Sequence, residues 1–278
     1  QGKYQSQPDM PFVTGGECAG VVTAVGAGVK RVKPGDKVIA MVGWGAFAEQ
    51  VAARENVVFP MPDGLCFEQA AGVGITYFTS YHALVQRGQL RSGETLLVLG
   101  AAGGVGSTAV ELGKLLGARV IAAASSDEKL ELCRKLGADE VINYSTEPRT
   151  DRLKELTGGR GVDVVYDPVG GDFTEPALRS MAWNGRFLVI GFASGPIPTP
   201  PLNLTLLKGS SIVGVFWGRF TMEEPEQNLA NIQALWQYFA EGKLSPVVTD
   251  VFPLERYEEA YNCMIERRAR GKVILTTG

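Results

Sequence analysis

The apolar positions of this chain follow two rhythms, and the change between them falls near Phe67. Upstream, short apolar runs are separated by turn residues. Ala19 to Val25 is rich in small and β-branched residues and stops at Gly26. Pro34-Gly35-Asp36 is a turn signal ahead of Lys37-Val38-Ile39-Ala40. Gly45 to Ala52 alternates, and Pro60-Met61-Pro62-Asp63-Gly64 closes the section. Short strands spaced by turns predict a small barrel or sandwich.

Downstream, a helix is predicted from Tyr77 to Val85, and then continuous apolar strands alternate with amphipathic helices. The strands fall at Thr95 to Leu99, Val120 to Ala124, Glu140 to Ile142, Val162 to Asp167 and Arg186 to Gly191; helices fall at Val105 to Leu116 and Asp127 to Leu136. Strands apolar on both faces belong to a parallel sheet covered by helices. Leu229, Ile232, Leu235, Trp236 and Phe239 then repeat at helical spacing within Glu226 to Glu241. A strand at Val247 to Phe252, a helix at Leu254 to Ile265 and a strand at Lys272 to Leu275 complete the chain. The expected fold class is α/β: a doubly wound parallel sheet of the Rossmann kind plus a partial β-barrel.

Composition narrows the function classes. The chain has 278 residues, 45% of them hydrophobic, enough for a sizeable core. A net charge of −3 gives no electrostatic case for nucleic acid or an anionic membrane as partner. The basic run Arg267, Arg268, Arg270 and Lys272 reads as a solvated helix end. No apolar stretch is long enough for a membrane span. Cys18, Cys66, Cys133 and Cys263 lack metal-ligand or redox spacing and read as buried or half-buried free thiols of a reducing compartment. That compartment is read as cytoplasmic, with a mitochondrial location as the alternative. The chain begins at Gln1 rather than Met, so a native start and any targeting segment are expected to be missing.

The clearest chemistry lies after the first long strand. Leu96-Leu97-Val98-Leu99 runs into Gly100-Ala101-Ala102-Gly103-Gly104-Val105-Gly106, and a helix follows at once. This is the strand–turn–helix order of a dinucleotide site. Gly103 would let the backbone approach a pyrophosphate, Gly106 would let the helix pack close, and the amides of Gly104 and Val105 would face the phosphates. Ala101 stands where the fingerprint prefers its first glycine.

A nicotinamide dinucleotide with a free ribose 2′-hydroxyl calls for an acidic residue at the end of the second strand. Here the strand ends Ala122-Ala123-Ala124-Ser125-Ser126, with hydroxyls and no carboxylate. Lys129 lies one helical turn on, and it is either a cation for a 2′-phosphate or a solvated helix lysine. Asp127 and Glu128 are read as first-turn acids of a helix capped by Ser126, which would point Asp127 to solvent. NADPH is therefore the expected cofactor.

The run from Gly93 to Gly106 resembles the medium-chain dehydrogenase/reductase family, and within it the quinone oxidoreductase branch. Gly15 to Val22, Pro34 to Val38, Thr79-Ser80-Tyr81-His82-Ala83-Leu84, Leu136 to Asp139 and Asp167-Pro168-Val169-Gly170-Gly171 are similar too. Phe216 to Phe220 and Gly271-Lys272-Val273 match one subgroup of that branch. The resemblance implies a discontinuous GroES-like catalytic domain at residues 1–75 and 245–278 and an NADPH-binding Rossmann domain at 76–244. Family members carry a longer N-terminal part, including a substrate-site Asn, so a less stable and less active chain is expected here.

Zinc-dependent relatives place a His before the residue matching Glu17, where this chain has Gly16, and they carry a cysteine cluster that this chain lacks. Zinc needs three or four converging ligands, and the single histidine, His82, falls on a helix and reads as packing. No metal site is expected. The resemblance implies Thr79 and Tyr4 at the acceptor side. It places Tyr144 beside the 2′-phosphate, and Phe216 and Trp217 near the nicotinamide; core aromatics are the alternative for that pair. Gly191 and Phe192 end a strand of the sheet, where ligands of such folds bind. The implied activity is hydride transfer from NADPH to a quinone or an α,β-unsaturated carbonyl. The alternative is a nucleotide-binding protein of weak turnover, as in crystallin-like members. A homodimer through an edge strand at Ser211 to Phe216 is also implied, an interior strand being the other reading.

Overall fold

The computed structural model describes residues 8–278, so Tyr4 lies outside the described residues. The chain divides into two compact units. One comprises the chain up to Ile75 with Val248–Ala269 and Val273–Gly278; the other comprises Thr76–Val247 and Arg270–Lys272.

In the first unit, β1 (Cys18–Val21), β2 (Lys37–Ala40) and β3 (Val58–Pro60) form an antiparallel sheet in that order. The pairing β1–β2 stops where the Pro34-Gly35-Asp36 turn begins: the amides of Val22 and Gly35 donate to the carbonyls of Asp36 and Val22, each at 2.9 Å. β1 is therefore shorter than the apolar run that predicts it. Val38, Ala40 and Val58 form the buried centre, with Cys18, Val22, Val32 and Val42 against them.

The alternating segment 45–52 is not a strand. Alternation makes a strand only where a ladder partner exists. Here the amides of Gly45, Ala46 and Phe47 donate to the irregular Val13–Gly15 segment instead. A short helix, α1 (Phe67–Ala70), follows.

The second unit holds the parallel sheet. The helix α2 (Gly74–Tyr81) enters it and continues through a wider π-type turn at His82–Arg87. The strands are β4 (Thr95–Leu99), β5 (Arg119–Ala124), β6 (Glu140–Asn143), β7 (Val162–Asp167), β8 (Met181–Val189) and β9 (Ser211–Gly214). Their spatial order is β6-β5-β4-β7-β8-β9, all neighbours parallel. Between and after them run α3 (Gly104–Leu115), α4 (Asp127–Lys135), α5 (Arg149–Leu156), α6 (Thr174–Arg179), α7 (Asn203–Lys208), α8 (Trp217–Glu223) and α9 (Pro225–Ala240).

Every residue of β4 and β7 is buried, Asp163 and Asp167 of β7 included, as befits central strands covered on both faces. β8 begins five residues before its apolar run because a register shift interrupts its pairing with β7, next to Asn184 at φ 59. The order puts β9 at the sheet edge, so Ser211 to Phe216 is not interior.

The chain then returns to the first unit with β10 (Val248–Pro253), α10 (Tyr257–Ile265) and β11 (Lys272–Thr276), where β10 pairs with β11. Four cysteines are free thiols. Cys66 is exposed rather than buried, while burial pushes the Cys133 thiol up to about 12.

Candidate functional site

In a parallel sheet all strands end on one side, and ligands bind outside those carboxyl ends. Most of the residues singled out above lie on that side of the second unit.

β4 ends at Leu99, and Gly100 turns the chain at φ 58, a left-handed value that favours glycine. The amide of Ala101 donates to the Ala123 carbonyl at 3.0 Å, tying the turn to β5. Gly103 caps α3 in an extended conformation, and α3 starts at Gly104. A Cβ on Gly106 would lie 2.2 Å from the Gly100 carbonyl oxygen and 2.9 Å from Ala101 Cα. Only glycine permits this approach of helix to turn. The free amides of the first turn of α3 face out of the sheet end, which suits an anion.

The turn has a second support that the sequence pattern does not signal. The Gly271 amide donates to the Ala102 carbonyl at 2.8 Å, and Gly103 and Gly271 form a parallel bridge. Gly271 has φ 66, and a Cβ there would lie 2.5 Å from the Val247 carbonyl oxygen.

Ser125 and Ser126 follow β5. Ser126 caps α4, its hydroxyl accepting from the Lys129 amide at 3.4 Å. The Lys129 ammonium folds back and donates to the Ser125 hydroxyl at 3.3 Å. The Ser145 hydroxyl donates to the Ser125 carbonyl at 3.0 Å, so the ends of β5 and β6 are joined. Asp127 is exposed, as expected, yet it does not simply face solvent: its Oδ1 accepts from the Asn143 side-chain amide at 2.9 Å. Glu128 pairs with Arg270 at 2.9 Å. Tyr144 packs edge-on to Phe173 at 4.7 Å and borders the apolar cluster under α5 and α6.

The other half of the sheet end is shaped by a buried carboxylate. Asp167, the last residue of β7, accepts from the amides of Val169 and Gly170 at 2.8 and 2.9 Å and from the Thr174 hydroxyl at 3.0 Å. Burial still raises its affinity for a proton, outweighing these three donors. The Asp167-Pro-Val-Gly-Gly motif is thus a turn clamped by its own aspartate. Ala193 and Ser194 donate to the carbonyls of Pro168 and Val169, which brings the loop after β8 alongside. Gly191 and Phe192 sit in that loop, and the Phe192 ring edge occupies the space that a Cβ on Gly170 would need. Phe216 is exposed, whereas Trp217 is half-buried; its indole N–H donates to Asn228 at 3.1 Å and its ring meets Phe78 at 5.7 Å. One of the two aromatics is therefore available to a ligand and the other is packed.

Thr79 is half-buried on α2. Next to it, the Ser80 hydroxyl meets those of Thr108 at 2.8 Å and Tyr166 at 2.7 Å, which pins α2 to α3 and β7. His82 is buried and stacked on Phe220 at 3.9 Å, a packing role.

Among the described residues, no three His, Cys, Asp or Glu side chains gather into a group that could hold a metal. The Glu17 carboxylate accepts from the Ile75 amide at 2.8 Å.

Comparison with known proteins agrees with this architecture. The alcohol dehydrogenase GroES-like domain matches residues 1–63, and the zinc-binding dehydrogenase family matches residues 104–234. A quinone oxidoreductase-like protein 2 homolog from Nematostella vectensis is 38% identical over 279 residues, covering 99% of this chain and 76% of the relative. Quinone oxidoreductase-like protein 2 from Bos taurus is 38% identical over 277 residues, covering 99% and 79%. The Escherichia coli quinone oxidoreductase solved in complex with NADPH superposes with a TM-score of 0.90 at 30% identity, covering 98% of this chain and 84% of that one. With its glycine-rich turn on a parallel sheet and relatives of this similarity along its length, the chain belongs to the medium-chain dehydrogenase/reductase family, in the quinone oxidoreductase branch.

Proposed function

We propose that this oxidoreductase moves a hydride from NADPH to a small electron-poor acceptor, a quinone or an α,β-unsaturated carbonyl, without zinc. The observation that carries the reading is the donor set after β5. Where a carboxylate would accept from a ribose 2′-hydroxyl, this chain offers the Ser125 hydroxyl with the Lys129 ammonium on it at 3.3 Å. A 2′-phosphate would replace that internal contact. Relatives named quinone oxidoreductase, one of them solved with NADPH, support the same reading.

Gly103, Gly104, Val105 and Gly106 would cradle the pyrophosphate, in a turn that a side chain at Gly106 would fill. Ser125, Ser126, Lys129 and Tyr144 would hold the adenosine end. Gly191, Phe192, Phe216 and Trp217 would border the nicotinamide, with Trp217 backing the site from its packed position. When bound, NADPH supplies the hydride. The protein then has to orient an acceptor and exclude water. Thr79 is assigned to the acceptor side; Tyr4, given the same role by the resemblance, lies outside the described residues. Residues 1–75 and 245–278 are assigned as the catalytic domain and 76–244 as the cofactor domain. Zinc-free chemistry is supported by Gly16 before Glu17 and by the hydrogen bond that Glu17 accepts from Ile75.

The test is loss of absorbance at the reduced nicotinamide band with quinones, enals and enoyl thioesters as acceptors. Turnover is expected with NADPH, unaffected by chelators. Binding of NADPH with no turnover on any acceptor would favour a nucleotide-binding protein over a reductase. A charge-assisted phosphate contact contributes roughly 1.5–3 kcal/mol, at least about tenfold in affinity. Lys129→Glu should accordingly reduce or reverse the preference for NADPH, read from dissociation constants of both cofactors.

A further inference from the structure

We infer that Asn143 sets the cofactor preference by holding the Asp127 carboxylate away from the 2′ position of the adenosine ribose. The inference rests on the NADPH reading above and adds a positioning residue to it.

Asp127 is the carboxylate nearest in sequence to the serines after β5. Free to swing, it could accept from a 2′-hydroxyl and would repel a 2′-phosphate. The fold denies it that freedom. Asn143 is the last residue of β6, directly opposite Ala124 in the parallel pairing, and its side chain is buried. Its amide nitrogen donates to Asp127 Oδ1 at 2.9 Å.

The amide cannot turn away, because its other end is occupied: Asn143 Oδ1 accepts from the Ser145 amide at 3.1 Å. The Asn143 backbone amide is fixed in turn by the Glu147 carboxylate at 2.7 Å. The orientation of this side chain is thus set by two neighbours on a fixed backbone, and the Asp127 carboxylate is bonded on the β6 side. The companion acid of the same helical turn, Glu128, is engaged by Arg270 at 2.9 Å. Both acids of the first turn of α4 have partners, while the Ser125–Lys129 pair lies between the same two strand ends.

A carboxylate released next to a phosphate in water costs enough repulsion for roughly a three- to tenfold change in affinity. The experiment measures dissociation constants for NADPH and NADH by nicotinamide fluorescence on the whole chain. Asn143→Ala should lower the NADPH-to-NADH preference by about that factor, mostly by weakening NADPH. Adding Asp127→Asn should restore the preference, which a merely structural loss at Asn143 would not do. Should Asn143→Ala fail to fold, Asp127→Glu serves instead. It is an exposed change that carries the carboxylate one methylene past the Asn143 amide, and it should lower the preference similarly. An unchanged ratio in the folded Asn143→Ala variant, or in Asp127→Glu when that variant stands in, overturns the inference while leaving the NADPH reading intact. Equal or NADH-favouring binding by the unaltered chain overturns the reading itself, and the inference with it.

Discussion

At the scale of single residues, the most unusual group outside the strand ends is Glu111 on α3. It is half-buried between the Tyr77 hydroxyl, which donates to it at 2.5 Å, and the Ser245 amide at 2.6 Å. Burial lifts its carboxyl above the ordinary value of 4.5, and the two donors only partly offset that. Folding therefore tightens the hold on this proton. The sign follows: from 4.5 up to the raised value the folded state binds more protons than the unfolded one, so this stabilisation is present in acid and lost as pH rises. Glu111→Gln removes the charge and can keep both contacts, donating to the Tyr77 oxygen and accepting from Ser245. The melting temperature of the variant minus that of the parent should grow more positive from about pH 4 to about pH 8. A flat difference would show that Glu111 ionises freely. Nothing in the sequence marks Glu111 as special, because a glutamate on a helix reads as solvated. The same holds for Asn143, whose contact with Asp127 comes from the pairing of β5 with β6, although its contact with Ser145 is a local turn. Ser125 and Lys129, in contrast, are marked in the sequence by the end of the second strand, by the family frame and by their four-residue separation across a helix start.

At the scale of elements, the glycine-rich turn shows how a motif becomes geometry. Residue order alone predicts strand, turn and helix, and the turn falls within a residue of the expected limits. What order cannot show is which glycine is irreplaceable. Gly106→Ala would press a methyl group to 2.2 Å from the Gly100 carbonyl, against backbone rather than a movable side chain. Overpacking of this kind costs roughly 1–3 kcal/mol. The variant should melt lower and bind NADPH more weakly, whereas Gly28→Ala, with no heavy atom within 4 Å of its added Cβ, should do neither. Equal behaviour of the two variants in thermal unfolding would remove the role given to Gly106. The segment 45–52 marks the opposite limit. Its alternation is real, but a strand is a relation between two segments, and one segment's pattern cannot supply the other.

At the scale of the whole molecule, β9 ends the parallel sheet with Ile212 exposed and its outer backbone groups unpaired by any strand among the described residues. Open edges of this kind invite pairing with another copy. A homodimer through β9 is our proposal, and Ile212→Lys, which sets like charges across a two-fold edge, should shift the sedimentation profile toward monomer. An unaltered profile would place any dimer contact elsewhere. The bridge between Gly103 and Gly271 has a consequence of another kind, for the order in which the protein is made. All six parallel strands lie upstream of residue 215, so on a ribosome the sheet can assemble while much of the chain is still to come. Its nucleotide turn lacks one support then, because the amide that closes on Ala102 belongs to Gly271. A nascent chain would carry the sheet before this brace, and the turn would gain it only once Gly271 had emerged and been laid in place.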